Sequence, residues 1–376
     1  MPSDPTGPAE WVAERMHRID ASGIRKIFDL AAGLQDKTDL SIGQPHFSTP
    51  EPIRRALIEA VEVGHNGYSP SAGIAPLREA LQMHIEQSYG HADRQVLVTS
   101  GTSGGLVLAL CTLVNPGDEV ILFDPGFVSY RHLVTLAGGT SILVDTYPDF
   151  HVDVDRVADA ITERTKAIVY NSPGNPTGAM DDPDTIDALA RLAADRGVVL
   201  ISDEIYSRFC YDQPFHSPAV ANPSVLVIDG FSKSHSMTGW RLGFSHGPAE
   251  IIEQMIKLQQ FTFVCAPHPV QHAGLAALDV DISHHVIDYR RKRDMLVERL
   301  EPHFRVGGGA GAFYLFLEPP GGQGTAFVHR AIERGLLIVP GHVFSTRDSH
   351  VRVSFAVDDD VLQAGADLLT ELAQST

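Results

Sequence analysis

From about residue 95 the chain alternates short aliphatic or β-branched runs with helical stretches; the runs are QVLVT, EVILFD, SILVD, KAIVYN, VVLISD, SVLVID and RLGFSHG. Runs this short, bounded by turn residues and separated by helices, read as strands joined by crossovers. The chain is therefore expected to be α/β, with a mostly parallel seven-stranded sheet sandwiched by helices. Beyond about residue 248 the pattern lengthens into helices, including VIDYRRKRDMLVERLEPHF. It then returns to shorter strands at AFYLFLE, LLIVPG and HVRVSFAV before a closing helix from about 358. That change marks a smaller α+β domain. Residues 9–34 read as helical with breaks at Gly23 and Gly33, and LSIGQPHFSTP as a short strand running into a proline-rich loop. The expected division is an N-terminal arm and part of the small domain over 1–47, a large domain over 48–280 and a small C-terminal domain over 281–376. Internal repeats and low-complexity tracts are absent.

Composition narrows the function classes. The chain has 376 residues, 43% of them hydrophobic, which is ordinary for a soluble globular enzyme. Its 29 basic residues against 47 acidic ones give a net charge of -18. Nucleic-acid surfaces need clustered Lys and Arg to displace counterions, so no nucleic-acid partner is expected. Cys111, Cys210 and Cys265 lack CxxC spacing and cannot all pair within one chain, which points to a reduced compartment. The N-terminal MPSDPTGPAEW has no basic segment followed by an apolar core, and LVLALCTLV is about half the length needed to cross a bilayer. A cytoplasmic protein with no membrane partner is the expectation. The 18 histidines include no HExxH or similar ligand spacing, and the adjacent His284 and His285 would diverge on a helix, so no metal site is expected.

Polar and glycine-rich segments gather where the predicted strands end, the edge at which open α/β sheets bind ligands. After QVLVT, Gly101, Thr102 and Ser103 lead into an apolar helix and offer amides and hydroxyls to a phosphate; a tight turn with Ser103 as an N-cap explains them equally well. After KAIVYN, the loop SPGNPTG stiffens Asn175 between two prolines, where its amide can donate to a phenolate oxygen. After VVLIS, Asp203 and Tyr206 lie three residues apart; a carboxylate at a buried strand end needs donors or a positive partner. A pyridinium nitrogen is such a partner, and an N-capping aspartate is the plainer alternative. After SVLVID comes FSKSHSMTGWRLG, with Ser232 next to Lys233 and Arg241 eight residues beyond the lysine. A lysine amine condenses with a carbonyl cofactor, and an arginine fork matches a phosphate. A surface Lys and Arg beside a turn would be the bland explanation.

The motifs resemble those of the class I/II aminotransferases, pyridoxal-phosphate enzymes of fold type I, related to aspartate aminotransferase. The likeness runs in family order from LSIGQPHFSTP through YSPSAGIAPLREAL, TSGTSGG, NPGDEVILFDPGF, NSPGNPTG, ISDEIY, FSKSHSMTGWRLG and PGHVFS to RVSFA. The resemblance implies pyridoxal 5'-phosphate bound covalently through Lys233, with Asp203 on the ring nitrogen and Asn175 with Tyr206 on the phenolic oxygen. It implies that Ser232, Arg241 and the turn Gly101, Thr102 and Ser103 grip the phosphate, and that Phe127 stacks on the ring. It further implies Arg352 as the clamp for the substrate carboxylate, Gly43 as a backbone donor opposite, and a homodimer in which Tyr68 reaches the neighbouring site. Taken from spacing alone, Arg352 on an alternating strand reads as a structural ion pair. Where many relatives carry a glycine after the phenylalanine of PGHVFS, this chain has Ser345, Thr346 and Arg347, so the loop near Arg352 is expected to differ in shape.

The implied activity is transfer of an amino group from an L-amino acid to a 2-oxo acid by a ping-pong cycle, with Lys233 as both tether and proton shuttle. A β-eliminating lyase on the same fold uses the same apparatus and stays open. A ligand-sensing regulator is the third reading, although the resemblance begins near residue 20 and leaves no room before it for a winged helix. The segment GGGAGA at 307–312 fits a loose dinucleotide fingerprint but runs into the strand-like FYLFLE rather than a helix, which argues against a dehydrogenase.

Overall fold

In a computed structural model of the chain, residues 11–21, 23 and 37–375 are described. Most of the helix expected over 9–34, Gly33 included, lies outside the described residues; within them, Glu14–Arg18 forms a short 3-10 turn. Strand β1 (Thr38–Asp39) comes two residues earlier than the apolar pattern placed it, and LSIGQPHFSTP itself is irregular. Its partner sets the position: Thr38 N–H bonds the Gly335 carbonyl and Leu40 N–H that of Leu337.

Helices α1 (Glu51–Glu62) and α2 (Ala75–Tyr89) precede the alternating region. There β2 (Gln95–Thr99), α3 (Gly101–Leu113), β3 (Glu119–Asp124), α4 (Ser129–Ala137), β4 (Thr140–Asp145), α5 (Val154–Ala160) and β5 (Thr165–Asn171) follow in turn. They continue through α6 (Pro183–Asp195), β6 (Val199–Asp203), β7 (Leu226–Gly230) and β8 (Gly243–Gly247). The seven strands β2–β8 form one sheet in the order β2-β8-β7-β6-β5-β3-β4, with β8 antiparallel to both neighbours and the remaining pairs parallel. The strands read as continuous apolar runs because both faces are covered. On one face Val120, Leu122, Val169, Ile201 and Ile228 pack under α3 and α7 (Ala249–Phe261). On the other, the alternate residues Ile121, Ile168, Leu200 and Val227 meet Ile186, Leu189 and Ala193 of α6. Helix α6 starts where it does because the Asp182 side chain accepts from Thr185 N–H and Pro183 fills its first position, where no N–H is needed.

The C-terminal part adds α8 (His268–Ala277), α9 (Ser283–Leu300), β9 (Arg305–Gly307), β10 (Tyr314–Glu318), α10 (Gly324–Glu333), β11 (Leu336–Leu337), β12 (Val339–Pro340), β13 (Val351–Ser354) and α11 (Asp359–Gln374). A four-stranded antiparallel sheet, β12-β13-β10-β9, carries this region, and a separate core of Leu296, Leu315, Phe327, Val353 and Leu369 sits beneath it. The run LLIVPG, which reads as one strand, is split: β11 pairs with β1 and β12 with β13. Segment 307–312 leads into β10, not a helix.

The loop after β5 and the segment before β10 meet along a backbone seam. Gly309 N–H bonds the Thr177 carbonyl and Gly311 N–H that of Gly178. Gly178 has φ +66°, and a Cβ there would lie 2.6 Å from the Tyr314 carbonyl oxygen and 2.8 Å from that of Gly311. Both atoms are main chain and cannot turn aside. Gly178→Ala is therefore expected to lower the apparent melting midpoint by several degrees, from left-handed strain plus overpacking of about 2–4 kcal/mol together; an unchanged thermal scan would contradict the seam's tightness.

Candidate active site

Parallel strands end together, and five of them deliver polar side chains to one crevice. β2 ends at Thr99 and passes into α3; β3 leads to Phe127 and Tyr130; β5 ends at Asn171 and is followed by Asn175; β6 ends on Asp203; β7 is followed by Ser232 and Lys233. Across from them stand Gly43 of the N-terminal region and Tyr314 and Arg352 of the smaller sheet. Together they line a cavity of about 270 Å³.

At the floor, Asp203 is buried and accepts from Tyr130 Oη at 2.8 Å and Ile205 N–H at 3.3 Å. Burial raises its pKa to about 6, while those two donors and the Lys233 charge pull the other way. Asn171 sits beside it in register on β5 and donates from Nδ2 to the Asp203 carbonyl at 2.8 Å. At pH 7 the floor is thus predominantly an anion enclosed in protein, held by neutral donors and open to a cationic partner from the cavity.

Lys233 Nζ donates to the Gly43 carbonyl at 2.6 Å. Burial lowers its pKa to about 8, with Arg352 and Arg241 adding to the effect and Asp203 opposing it. Roughly a tenth of the amine is then neutral at pH 7, against well under a thousandth for an ordinary lysine. That fraction matters because only the neutral amine is a nucleophile.

One end of the cavity brings together a helix start and an arginine. Helix α3 begins at Gly101, and its N-cap Ser100 makes no side-chain cap bond, so the first-turn amides are not capped by it. Ser103 lies inside the first turn, which removes its N-cap explanation. Arg241, in the left-handed region at φ 56°, donates from Nη1 to the Thr238 carbonyl at 2.8 Å, and its guanidinium faces that turn. A Cβ on Gly101 would stand 2.6 Å from Arg241 Nη2; the glycine, at φ +69°, is what lets arginine and helix start share one site. Ser232 is buried beside them and Thr102 lines the same wall.

The other end is organised by Arg352, fully buried on β13. Its Nη1 donates to Asn175 Oδ1 at 2.9 Å and its Nη2 to the Ser41 carbonyl at 2.8 Å, while the Tyr314 and Phe344 rings flank it at 4.5 and 4.7 Å. Among the described residues no carboxylate pairs with it, so the ion-pair reading is not supported, and its buried Nε finds no hydrogen-bond partner among them either, an orphan donor in a cavity-lining cation. Because Asn175 turns its carbonyl oxygen to Arg352, its amide nitrogen is left as the donor toward the cavity. Tyr206 Oη shares a 2.9 Å hydrogen bond with Tyr314 Oη.

Phe127 lines the cavity and meets Tyr130 edge-on, with ring centroids 5.5 Å apart. Tyr68 does not line it and is 85% exposed. Tyr130, Asn171, Ile205, Thr238, Tyr314 and, through its carbonyl, Ser41 carry no motif signal of their own. Tyr314 falls in an alternating strand where an aromatic residue reads as core, and a backbone carbonyl has no sequence signal. The departure at 345–347 is resolved as a clasp: Thr346 N–H and Oγ1 both donate to the Asp124 carboxylate at the end of β3, and Arg347 pairs with Asp145 at the end of β4.

Residues 35–369 match the family model described as aminotransferase class I and II. The chain is 35% identical to a probable aspartate aminotransferase of Methanocaldococcus jannaschii, over 96% of this chain and 99% of that one. It is 37% identical to an aspartate/prephenate aminotransferase of Thermus thermophilus, over 87% and 89%. The solved aspartate aminotransferase of Thermotoga maritima superposes with a TM-score of 0.93 at 34% identity, over 96% of this chain and all of that one. These relatives are transaminases, and neither the lyase nor the regulator reading gains support over that activity. By sequence, fold and the convergence of its strand ends, the chain belongs to the class I and II aminotransferases, with the mainly parallel seven-stranded architecture of fold type I.

Proposed function

We propose that the cavity binds pyridoxal 5'-phosphate and uses it to move the amino group of an L-amino acid to a 2-oxo acid. The observation that carries this reading is the pairing, in one cavity, of a buried Lys233 amine with a buried Asp203 carboxylate that forms no direct ion pair among the described residues. The donor set fits the cofactor. The capless start of α3, Ser232 and Arg241 suit its phosphate, Asp203 its ring nitrogen, and the Asn175 amide and Tyr206 hydroxyl its phenolic oxygen. Phe127 supplies a ring face. Bound there, the cofactor offers an aldehyde to receive the amino group and a ring that withdraws electrons from the substrate α-carbon.

The chain's own residues do the rest. Arg352 presents a fork to the substrate carboxylate, pre-aimed by Asn175 and Ser41 and backed by two aromatic rings, with Gly43 opposite. Lys233 takes the α-proton on Nζ and returns it, since its lowered pKa lets it act as a base near neutral pH. Asp203 keeps the ring nitrogen protonated. Tyr314 fixes the Tyr206 hydroxyl from one side and Arg352 from the other. Among the described residues lining the cavity, the cations are Lys233, Arg241 and Arg352, and each already has a task. The relatives act on aspartate, prephenate and aromatic amino acids by their names; for this chain the reading stays with an L-amino acid and a 2-oxo acid.

The active unit is read as a homodimer. Tyr68 is exposed and does not line its own cavity; Ile58 and Val61 of α1, Val63 just after it, and Phe261 and Phe263 at the end of α7 are exposed as well. Such apolar exposure suits an interface, from which Tyr68 would serve the neighbouring phosphate. A cytoplasmic location agrees with three free cysteines and with the lack of any described helix long and apolar enough to cross a membrane.

Three outcomes follow. Borohydride treatment of the cofactor-loaded protein should fix the cofactor to the peptide containing Lys233, and Lys233→Ala should lose both the label and turnover; label on another residue refutes the assignment. Asp203→Asn removes the anion that holds the amine up, so in cofactor-free protein the amine's pKa, followed by its reaction rate with an aldehyde across pH, should fall below about 8. A rise would contradict the electrostatics. Arg352→Lys should raise KM for the amino acid tenfold or more, equivalent to about 1.4 kcal/mol, because a point charge cannot reproduce the fork; an unchanged KM would remove Arg352 from the carboxylate site.

A further inference from the structure

Away from the cavity, three histidines converge that no catalytic role uses. His268 and His272 stand at i and i+4 on α8 and so share a face. His65 comes from the turn after α1, the helix packed along α8; the turn is pinned by the bond from His65 N–H to the Ala60 carbonyl at 2.9 Å. One ligand nitrogen from each ring lies within 4.8 Å of the other two. The His65 and His272 rings stack at 4.1 Å between centroids, and His268 stands 5.2 Å from His65 and 5.6 Å from His272.

Two details go beyond proximity. His268 Nδ1 lies 3.0 Å from the Gly67 carbonyl, so that nitrogen carries the proton and Nε2 keeps its lone pair. A backbone carbonyl held by the far ring nitrogen in this way is what orients metal-binding imidazoles. His272 Nε2 is buried and finds no hydrogen-bond partner among the described residues, a lone pair or proton that a bound ion or water would satisfy.

We propose that His65, His268 and His272 form a binding site for a divalent transition-metal ion of the zinc class. Three imidazoles without a carboxylate suit zinc, copper or nickel rather than magnesium or calcium, and leave a fourth position for water. Zinc–nitrogen bonds of about 2.0–2.1 Å require the ligand atoms to close by about an ångström, with His65 turning out of its stack so that its lone pair meets the ion in the ring plane. The bound ion ties the turn that carries Tyr68 to α8. Motif spacing does not flag the cluster, because His65 lies far from the other two in sequence. The pair His284 and His285, expected to diverge, instead brings its rings to 3.9 Å with His285 stacked on Phe47, and it finds no third ligand among the described residues.

The test is titration of zinc ion into the tag-free, chelator-stripped full-length protein, followed by calorimetry. One zinc per chain should bind the unaltered protein. His65→Ala and His272→Ala should each weaken binding at least tenfold, while His329→Ala, at an exposed position on α10, should leave it unchanged. Should His272→Ala fail to fold, His65→Ala decides, since its side chain lies on a surface turn; cobalt substitution should then give the visible absorption of a nitrogen-ligated ion in the parent and not in the variant. No stoichiometric zinc, or equal affinity in His65→Ala, overturns the site.

Discussion

The buried guanidinium of Arg352 is the joint on which the site's geometry depends. It comes from a strand of the smaller sheet, yet its two terminal nitrogens are held by the Ser41 carbonyl of the N-terminal segment and by Asn175 after β5 of the larger sheet. Three stretches far apart in sequence thus share one cation. Burying a charge without a counter-charge is costly. Here the cost is offset by directed hydrogen bonds and by two aromatic faces. With no acidic partner among the described residues, the guanidinium suits the proposed role of receiving a substrate carboxylate.

The remaining charges are arranged around that joint by the sheet itself. Parallel strands end on one edge, so Asp203, Lys233 and the start of α3 reach the cavity without any long loop having to fold toward it. The two arginines and burial lower the lysine's pKa, and Asp203 limits the fall. Burial and the neighbouring charges together thus set how reactive the amine is, with Asp203 the one group among them that opposes the fall. Gly101 and Gly178 act at the margins, one letting Arg241 approach the helix start and the other letting the loop after β5 meet the segment before β10.

Much of this was readable from the residues, for physical reasons. Strands buried on both faces appear as unbroken apolar runs, so the seven strands are placed within a residue or two, and polar side chains that follow such runs mark the binding edge. The family likeness then singled out Lys233, Asp203, Asn175 and Arg352, which the fold brings together. Other features have no local signature. Strand β1 is placed by its partner Leu336–Leu337 rather than by its own pattern. Tyr314 looks like any strand aromatic until its hydroxyl meets Tyr206, and the Ser41 carbonyl belongs to no side chain at all. Thr346 and Arg347 signalled only a departure; their clasp on Asp124 and Asp145 is visible in three dimensions alone.

The most direct measurement is a single half-reaction on the cofactor-loaded protein with one amino acid and no oxo-acid acceptor. The account predicts one equivalent of 2-oxo acid per chain, released in a burst that then stops, with no free ammonia and with turnover restored by a second 2-oxo acid. Continuous release of ammonia and oxo acid without an acceptor would contradict it.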